Sequence, residues 1–353
     1  MATAWRMLAS QLRKSLRQAS QNIRRFCEWQ KPSDWMRTRG GISLGQMVRP
    51  LESVGCYVPG GRHPLVSTLL MTVIPAQEAG VRNIVVASPQ PGPALLAAAE
   101  RLGVQSVARV GGAQAIAALA YGTRSIPRVD KIFGPGNRFV TAAKRLVSAD
   151  CAIDLVAGPT EAVVLAQRGN AKFIAADLIA QAEHDPDAIS IFVTTSAPLG
   201  RSVSAEIDRQ LRELPKDNLA WRSFAKNGFV LIAKNLADAI RFVNLFAPEH
   251  LSLPGGSENL LGRIKSAGSI FLGDWSAQTF GDYASGTNHV LPTGGVGRAR
   301  GGLSVADFVK CISVQEVSRK GFGRLAPVAM EFAKAEGLEA HGRSVSLRAE
   351  VRK

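Results

Sequence analysis

The chain is expected to be an α/β protein: two Rossmann-like parallel-sheet domains, preceded by a small helical segment and followed by a C-terminal arm. Three observations predict this class. Short β-branched runs alternate with Ala-rich helical runs from Glu52 to Gly158, and the same rhythm resumes from Glu161 to Leu272. Strands separated by helices of this length imply right-handed βαβ units and a mainly parallel sheet. With 353 residues, 46% of them hydrophobic and 20% charged, the chain is long enough to bury a large core.

The N-terminal segment, residues 1–50, carries ten Lys or Arg against Glu28 and Asp34, which is +8 of the net +15. Its first 25 residues hold Arg and Ser without acid, as a transit peptide does. The pattern runs on through Ile23, Phe26 and Trp29, however, and reads as an amphipathic helix that feeds the domain, solvated or facing a dimer partner. The first Rossmann-like domain is drawn at 51–158. In order it should hold strand Ile84–Pro89, helix Pro93–Leu102, strand Val107–Val110, helix Ala113–Ala120, strand Val129–Phe133 and helix Phe139–Val147. The second, at 159–275, starts with strand Glu161–Leu165, helix Ala171–His184 and strand Ile189–Thr194. Helix Val203–Leu214, strand Phe229–Ile232 and helix Leu236–Phe246 follow. A short strand at Leu251–Leu253, helix Ser257–Ser266 and strand Ser269–Leu272 complete it. Beyond, residues 276–353 read as a Gly-rich loop beside a site and a helical arm. The similar rhythm of the two halves suggests a duplication, without a clear sequence repeat.

Several function classes are disfavoured. No apolar run approaches the ~18–20 residues of a membrane span. Cys27, Cys56, Cys151 and Cys311 are scattered, which suits a reducing cytoplasm and argues against an all-thiolate zinc site. Outside the first 50 residues there is no basic stripe, RNA-binding signature or zinc-finger spacing, so neither nucleic acid nor membrane is expected as a partner. Walker A, G-x-S-x-G and H-E-x-x-H patterns are lacking as well.

Four of the five histidines sit in phrases rich in acids and amides: Gln181-Ala-Glu-His184-Asp185, Pro248-Glu249-His250, Gly281-Asp282-Tyr-Ala-Ser-Gly-Thr-Asn288-His289 and Glu336-Gly-Leu-Glu-Ala-His341. Imidazole beside carboxylate is what a metal site or a proton-transfer site requires. Gln181 and His184, three apart on the expected helix, would share a face and could ligate one ion, or could mark a surface helix end stopped by Pro186. Asp282 would complete a nitrogen and oxygen donor set suited to zinc, with manganese or cobalt as alternatives. Glu249 and His250, at a strand edge, are placed for proton transfer or for a surface ion pair. Gly111-Gly112 and Gly134-Pro135-Gly136-Asn137 follow expected strands and precede helices, where bare backbone can approach a phosphate or simply turn tightly. Pro59-Gly60-Gly61 is a third such turn, and His63 reads as structural.

Together the phrases resemble the histidinol dehydrogenase family. The likeness also includes Gly55-Cys-Tyr57-Val-Pro-Gly-Gly, Val110-Gly-Gly-Ala-Gln114, Lys131-Ile-Phe-Gly-Pro-Gly-Asn137 and Ala157-Gly-Pro-Thr160-Glu, and it runs from about Leu12 to Leu347. It implies an NAD-dependent, four-electron oxidation of L-histidinol through the aldehyde to L-histidine, the last step of histidine biosynthesis. Gln181, His184 and Asp282 would bind one Zn²⁺ per subunit, and His341 would complete the site from the partner of an obligatory homodimer. Thr160, His289 and Glu336 would touch substrate, Glu336 from across the interface, together with His250 and the zinc ligands. Tyr57, Gln114 and Asn137 would contact NAD, while His250 and Glu249 would be the catalytic base and the water activator. Two departures stand out. The resemblance implies several dozen further residues before Leu12, so the chain is expected to be N-terminally shortened. Thr160 stands where the family usually has Ser. The alternatives are a related zinc and NAD dehydrogenase of another small alcohol, such as a sulfonated diol, and an inactive shortened homologue that serves in binding or dimer assembly.

Overall fold

Thirteen strands in three sheets organise the computed structural model, which describes residues 4–60 and 65–350. In chain order they are β1 (Trp35–Arg39), β2 (Ile42–Pro50), β3 (Ser53–Tyr57), β4 (Asn83–Ala87), β5 (Val107–Ala108), β6 (Lys131–Phe133) and β7 (Ala152–Ile153). Then come β8 (Glu161–Leu165), β9 (Ile189–Thr194), β10 (Gly228–Ile232), β11 (His250–Leu253), β12 (Ser269–Leu272) and β13 (Val309–Val317). Gly61 and His63 lie outside the described residues.

The chain divides into two units. The first comprises Leu51–Phe308 with the N-terminal residues up to Lys31; the second comprises Pro32–Pro50 and the chain from Val309 onward. In the first unit two five-stranded sheets share one plan. Their orders are β5-β4-β3-β6-β7 and β10-β9-β8-β11-β12, and every pairing is parallel. The first strand of each set lies beside the fourth, so strand order reverses at β3/β6 and at β8/β11. In open α/β sheets that reversal opens a crevice at the strand ends, where ligands bind. β8 is buried at all five positions, as a strand covered on both faces must be. The α/β class is therefore as expected, with parallel sheets in both halves.

Two central elements escaped the sequence reading. β3 is Ser-Val-Gly-Cys-Tyr, short and interrupted by Gly, yet it sits mid-sheet with Val54 and Cys56 fully buried. The helix Val66–Ala79 is apolar almost all round and buried from Thr68 to Ala76, so it lacks the amphipathic period that marks a surface helix. Elsewhere boundaries move. The helix expected from Val203 starts at Ala197, where the Ser196 hydroxyl accepts the Leu199 N–H and caps it. Ser257–Arg263 is a 3₁₀ segment rather than an α-helix.

The N-terminal helix is Ser10–Gln30, not the whole of 1–50. Only Ile23 and Cys27 on it are buried. Arg24 is paired with Glu78 and donates to Gln77, both near the end of the helix Val66–Ala79. Past Gln30 the second unit begins with a β1–β2 hairpin turned at Gly40-Gly41, a pairing signal that basic composition masked. β13 then pairs antiparallel with β2 along its whole length. The C-terminal arm therefore opens as a β-strand, its Val309, Ile312, Val314 and Val317 being strand formers, before the helices Arg319–Ala335 and Glu339–Glu350.

Candidate active site

β11 begins at the histidine of Pro248-Glu249-His250, so strand pairing fixes where that imidazole sits. His250 pairs with Ala162 of β8 on one side and Ser269 of β12 on the other. Its ring stacks on Phe271 at 5.9 Å between centroids, and its side chain is only 4% exposed. His250 Nδ1 lies 3.7 Å from Glu249 Oε2, and Nε2 lies 3.7 Å from Asp282 Oδ1. Those distances are too long for hydrogen bonds, and neither ring nitrogen has a hydrogen-bond partner among the described residues. A buried imidazole with two free nitrogens between two carboxylates is costly unless it exchanges protons or meets a ligand.

The surroundings set the charge of each group. Burial pushes the Glu249 carboxyl up to about 7, against the pull of the His250 charge. Burial also opposes the imidazolium of His250, but Glu249 and then Asp282 outweigh it and raise its proton affinity. At Asp282 burial again disfavours charge, yet His250, with His289 and His184 behind it, holds the carboxyl below its ordinary value. Two carboxylates thus flank one imidazole in different states: Asp282 stays ionised, while Glu249 can gain or lose a proton near neutrality.

Gln181, 1% exposed in the last turn of the helix Ala171–Ala182, donates from Nε2 to Asp282 Oδ2 at 3.3 Å. His184 is not on that helix, contrary to expectation. The helix stops at Ala182, and His184 follows in the turn that leads to Pro186, so the i, i+3 argument for a shared face does not hold. It is exposed, yet its charge acts on both Asp282 and His289. Asp282 itself lies on a short helix, Gln278–Tyr283, rather than in the expected loop. Four residues before Asp282, Gln278 donates from Nε2 to Ser252 Oγ at 2.9 Å, and its backbone N–H acts on the carboxyl of Asp177, itself four residues before Gln181.

His289 is held at both nitrogens, Nδ1 against the Asp282 carbonyl at 2.9 Å and Nε2 against Thr68 Oγ1 at 3.2 Å. A carbonyl only accepts, so Nδ1 carries the proton and the Thr68 hydroxyl donates to Nε2. Burial lowers the proton affinity of this ring, which suits a neutral tautomer. Thr160 precedes β8 and is half-buried. The next N–H, that of Glu161, donates to Glu249 Oε2 at 3.1 Å, so Glu249 is tied to the Thr160 strand end. Glu161 is buried as well; its Oε1 accepts the Gly294 N–H at 3.0 Å and its Oε2 has no partner among the described residues.

The structure thus brings together Gln181, His184, Glu249, His250, Asp282 and His289. Glu336 and His341 belong to the second unit, Glu336 capping one helix and His341 in the first turn of the next, both exposed. Sequence reasoning gave no role to Glu161, Thr68, Asp177 or Gln278. Glu161 stood inside a quoted phrase and could have been found there; the other three carry no local signal. Among the described residues no three His, Cys, Asp or Glu side chains gather closely enough to hold an ion. The donor group here contains the amide of Gln181 instead.

At the first sheet, Tyr57 ends β3, and its hydroxyl accepts the Gly112 N–H at 3.3 Å. Gln114 follows on the exposed start of the helix Gly112–Tyr121. Asn137, just past β6, caps the helix Arg138–Val147 by accepting the N–H groups of Phe139 and Val140 at 3.0 and 3.1 Å. Tyr57 and Asn137 stand past the carboxyl ends of β3 and β6, where strand order reverses, while Gln114 follows the edge strand β5 on a helix whose first residue is bonded to Tyr57.

Comparison with known proteins gives the family. A family model described as histidinol dehydrogenase matches residues 1–349. The histidinol dehydrogenase of Halalkalibacterium halodurans is 47% identical over 98% of this chain and 84% of its own length. That of Thermus thermophilus is 48% identical over 98% of this chain and 85% of its own length. The crystal structure of histidinol dehydrogenase from Elizabethkingia anophelis superposes with a TM-score of 0.95 at 39% identity, covering 99% of this chain and 82% of that one. On all three counts the chain belongs to the histidinol dehydrogenase family, NAD-dependent oxidoreductases of amino-acid biosynthesis.

Proposed function

We propose that this chain oxidises L-histidinol through its aldehyde to L-histidine, delivering two hydrides to NAD. The observation that carries the chemistry is His250, buried and without hydrogen-bond partners between ionised Asp282 and a Glu249 that titrates near neutrality. His250 takes the proton of the alcohol as hydride leaves. Glu249, oriented by the Glu161 N–H, then takes a proton from the water that hydrates the aldehyde, and a second hydride departs. Thr160, at the adjoining strand end, and His289 face the substrate in this reading. The region 51–158 serves the dinucleotide, with Tyr57, Gln114 and Asn137 as its contacts, and 159–275 serves the substrate. The family match favours histidinol over other small alcohols.

Zinc is the metal that the donor chemistry suits. Gln181, His184 and Asp282 offer an amide, an imidazole and a carboxylate, one donor short of the usual four. His341 of a second copy supplies the fourth, with Glu336 at its side. When bound, the ion orients the amino alcohol and polarises its oxygen, and it takes no electrons. A homodimer is further supported by the helix Arg319–Ala335, which leaves Leu325, Val328 and Phe332 exposed along one face. No described helix is long and apolar enough to cross a membrane. The free cysteines suit a reducing cytoplasm, since burial pushes Cys27 and Cys56 up to about 12 and leaves them inert.

The test is NADH formation with L-histidinol on dimeric protein. Two NADH per histidinol, lost on zinc chelation and restored by zinc, are expected. A single NADH per histidinol, or turnover of other small alcohols without histidinol, overturns the proposal.

A further inference from the structure

The most buried ion pair in the first unit lies outside every role assigned so far. Lys144 and Asp154 have side chains 3% and 0% exposed and are joined directly. Lys144 is on the helix Arg138–Val147, and Asp154 follows the edge strand β7. Both grip the backbone of one residue, Gly134. Lys144 Nζ donates to the Gly134 carbonyl at 2.9 Å, while the Gly134 N–H donates to Asp154 Oδ2 at 2.7 Å. Gly134 is the first residue past β6 and has φ +112°; a Cβ there would meet the Tyr57 carbonyl oxygen at 2.0 Å. The pair therefore clamps, from both ends, the turn that only glycine can make at the strand-order reversal.

Stability alone does not account for the clamp. Desolvating two charges costs about what their attraction returns, so an apolar pair of similar volume would serve a core as well. What an apolar pair cannot do is hold the N–H and the C=O of Gly134 at once. The clamp also reaches toward the substrate side. Asp154 Oδ1 accepts the Leu155 N–H at 2.6 Å, the start of the connector to Thr160, and Thr141 of the same helix donates to the Ala157 carbonyl at 3.1 Å.

We propose that Lys144 and Asp154 are positioning residues that hold the Gly134–Asn137 loop in the shape that binds the dinucleotide. The proposal rests on the reading of this loop as the NAD site. Its experiment is calorimetric titration of the purified dimer with NAD⁺ and, separately, with L-histidinol, alongside thermal unfolding. Three variants are compared with wild type: Lys144→Met, the double replacement Lys144→Met with Asp154→Leu, and Lys144→Arg, which keeps the charge and folds. Lys144→Met strands a buried carboxylate and should lower Tm; the double replacement should recover most of that loss. All three should weaken NAD⁺, the two Met variants about tenfold or more and Lys144→Arg severalfold, since a loop released by a fraction of an ångström loses its fit. The histidinol Kd should stay within about twofold in the two single variants; the double replacement also removes the acceptor of the Leu155 N–H and is read for NAD⁺ and Tm alone. NAD⁺ affinity that returns to wild type when Tm returns in the double replacement would show a merely structural pair and overturn the proposal. So would unchanged NAD⁺ affinity in Lys144→Arg together with either folded Met variant. If wild type itself binds histidinol but not NAD⁺, the dinucleotide reading falls, and the proposal with it.

Discussion

Glu249 and His250 are neighbours in sequence and act in different stages of the proposed reaction. The alcohol stage needs a base at the hydroxyl, and the aldehyde stage needs a base at water. Only the second calls on Glu249. Glu249→Gln should therefore slow the aldehyde stage by ~10²–10⁴ and the alcohol stage by less than ~10-fold, so that aldehyde accumulates in single-turnover assays. Equal loss in both stages would remove the division of labour. Asp177 allows a prediction about stability. Burial pushes its carboxyl up to about 6 against the pull of the Gln278 N–H. A carboxyl raised on folding binds its proton more tightly in the folded chain, so the stability it contributes is complete below its unfolded value of ~4 and is lost as pH rises through about 6. Asp177→Asn keeps the size and polarity of the side chain without the buried charge. It should raise stability at pH 7.5 by roughly 1–2 kcal/mol in urea unfolding, with no gain at pH 4. A gain at both pH values, or at neither, contradicts it. Of the residues that form this centre, those in distinctive phrases were legible: a His beside a Glu or near an Asp reads as chemistry on paper. Thr68 and Gln278 were not, because a Thr in an apolar helix and a Gln in a Gly-rich tract acquire their roles only when folding sets them against His289 and Ser252.

At the scale of elements, the loop between Asp282 and His289 owes its position to helices distant in sequence. Asn288 donates from Nδ2 to the Met71 carbonyl at 2.7 Å, and Asn22 of the N-terminal helix donates to the Ala284 carbonyl at 2.6 Å. Gly286, at φ +104°, passes so close to that helix that a Cβ would lie 2.4 Å from the Asn22 carbonyl oxygen. Gly286→Ala should thus cost about 1–3 kcal/mol in chemical denaturation and depress histidinol turnover together with it. Wild-type stability in that variant would mean that the helix and loop are not coupled. Alternation of strand and helix was readable wherever strands were β-branched and helices Ala-rich. It failed at β3, whose Gly and Cys suit a crowded central strand, and at Val66–Ala79, whose burial on all sides erases the 3.6-residue period. Helix ends were misjudged where a cap decided them, as at Ser196, or where a turn did, as before His184.

For the whole molecule, one strand order recurs in both sheets of the first unit, and each reversal is the kind of place where open α/β sheets bind ligands. Glu336 and His341 belong to the second unit, at the end of one helix and in the first turn of the next, and Leu325, Val328 and Phe332 are exposed along Arg319–Ala335. Nothing local in the sequence assigned these two residues; the likeness of the Glu336–His341 phrase to the family did. The central claim is that a centre built on Glu249, His250 and Asp282 of one copy is completed by His341 of another. It is tested most directly by a mixed dimer of Asp282→Ala and His341→Ala chains, co-expressed with different tags and purified through both. Each parent dimer should be inactive, whereas the mixed dimer, with one intact centre of two, should show about half the wild-type histidinol turnover. A mixed dimer as inactive as its parents, or a His341→Ala dimer active by itself, would contradict it.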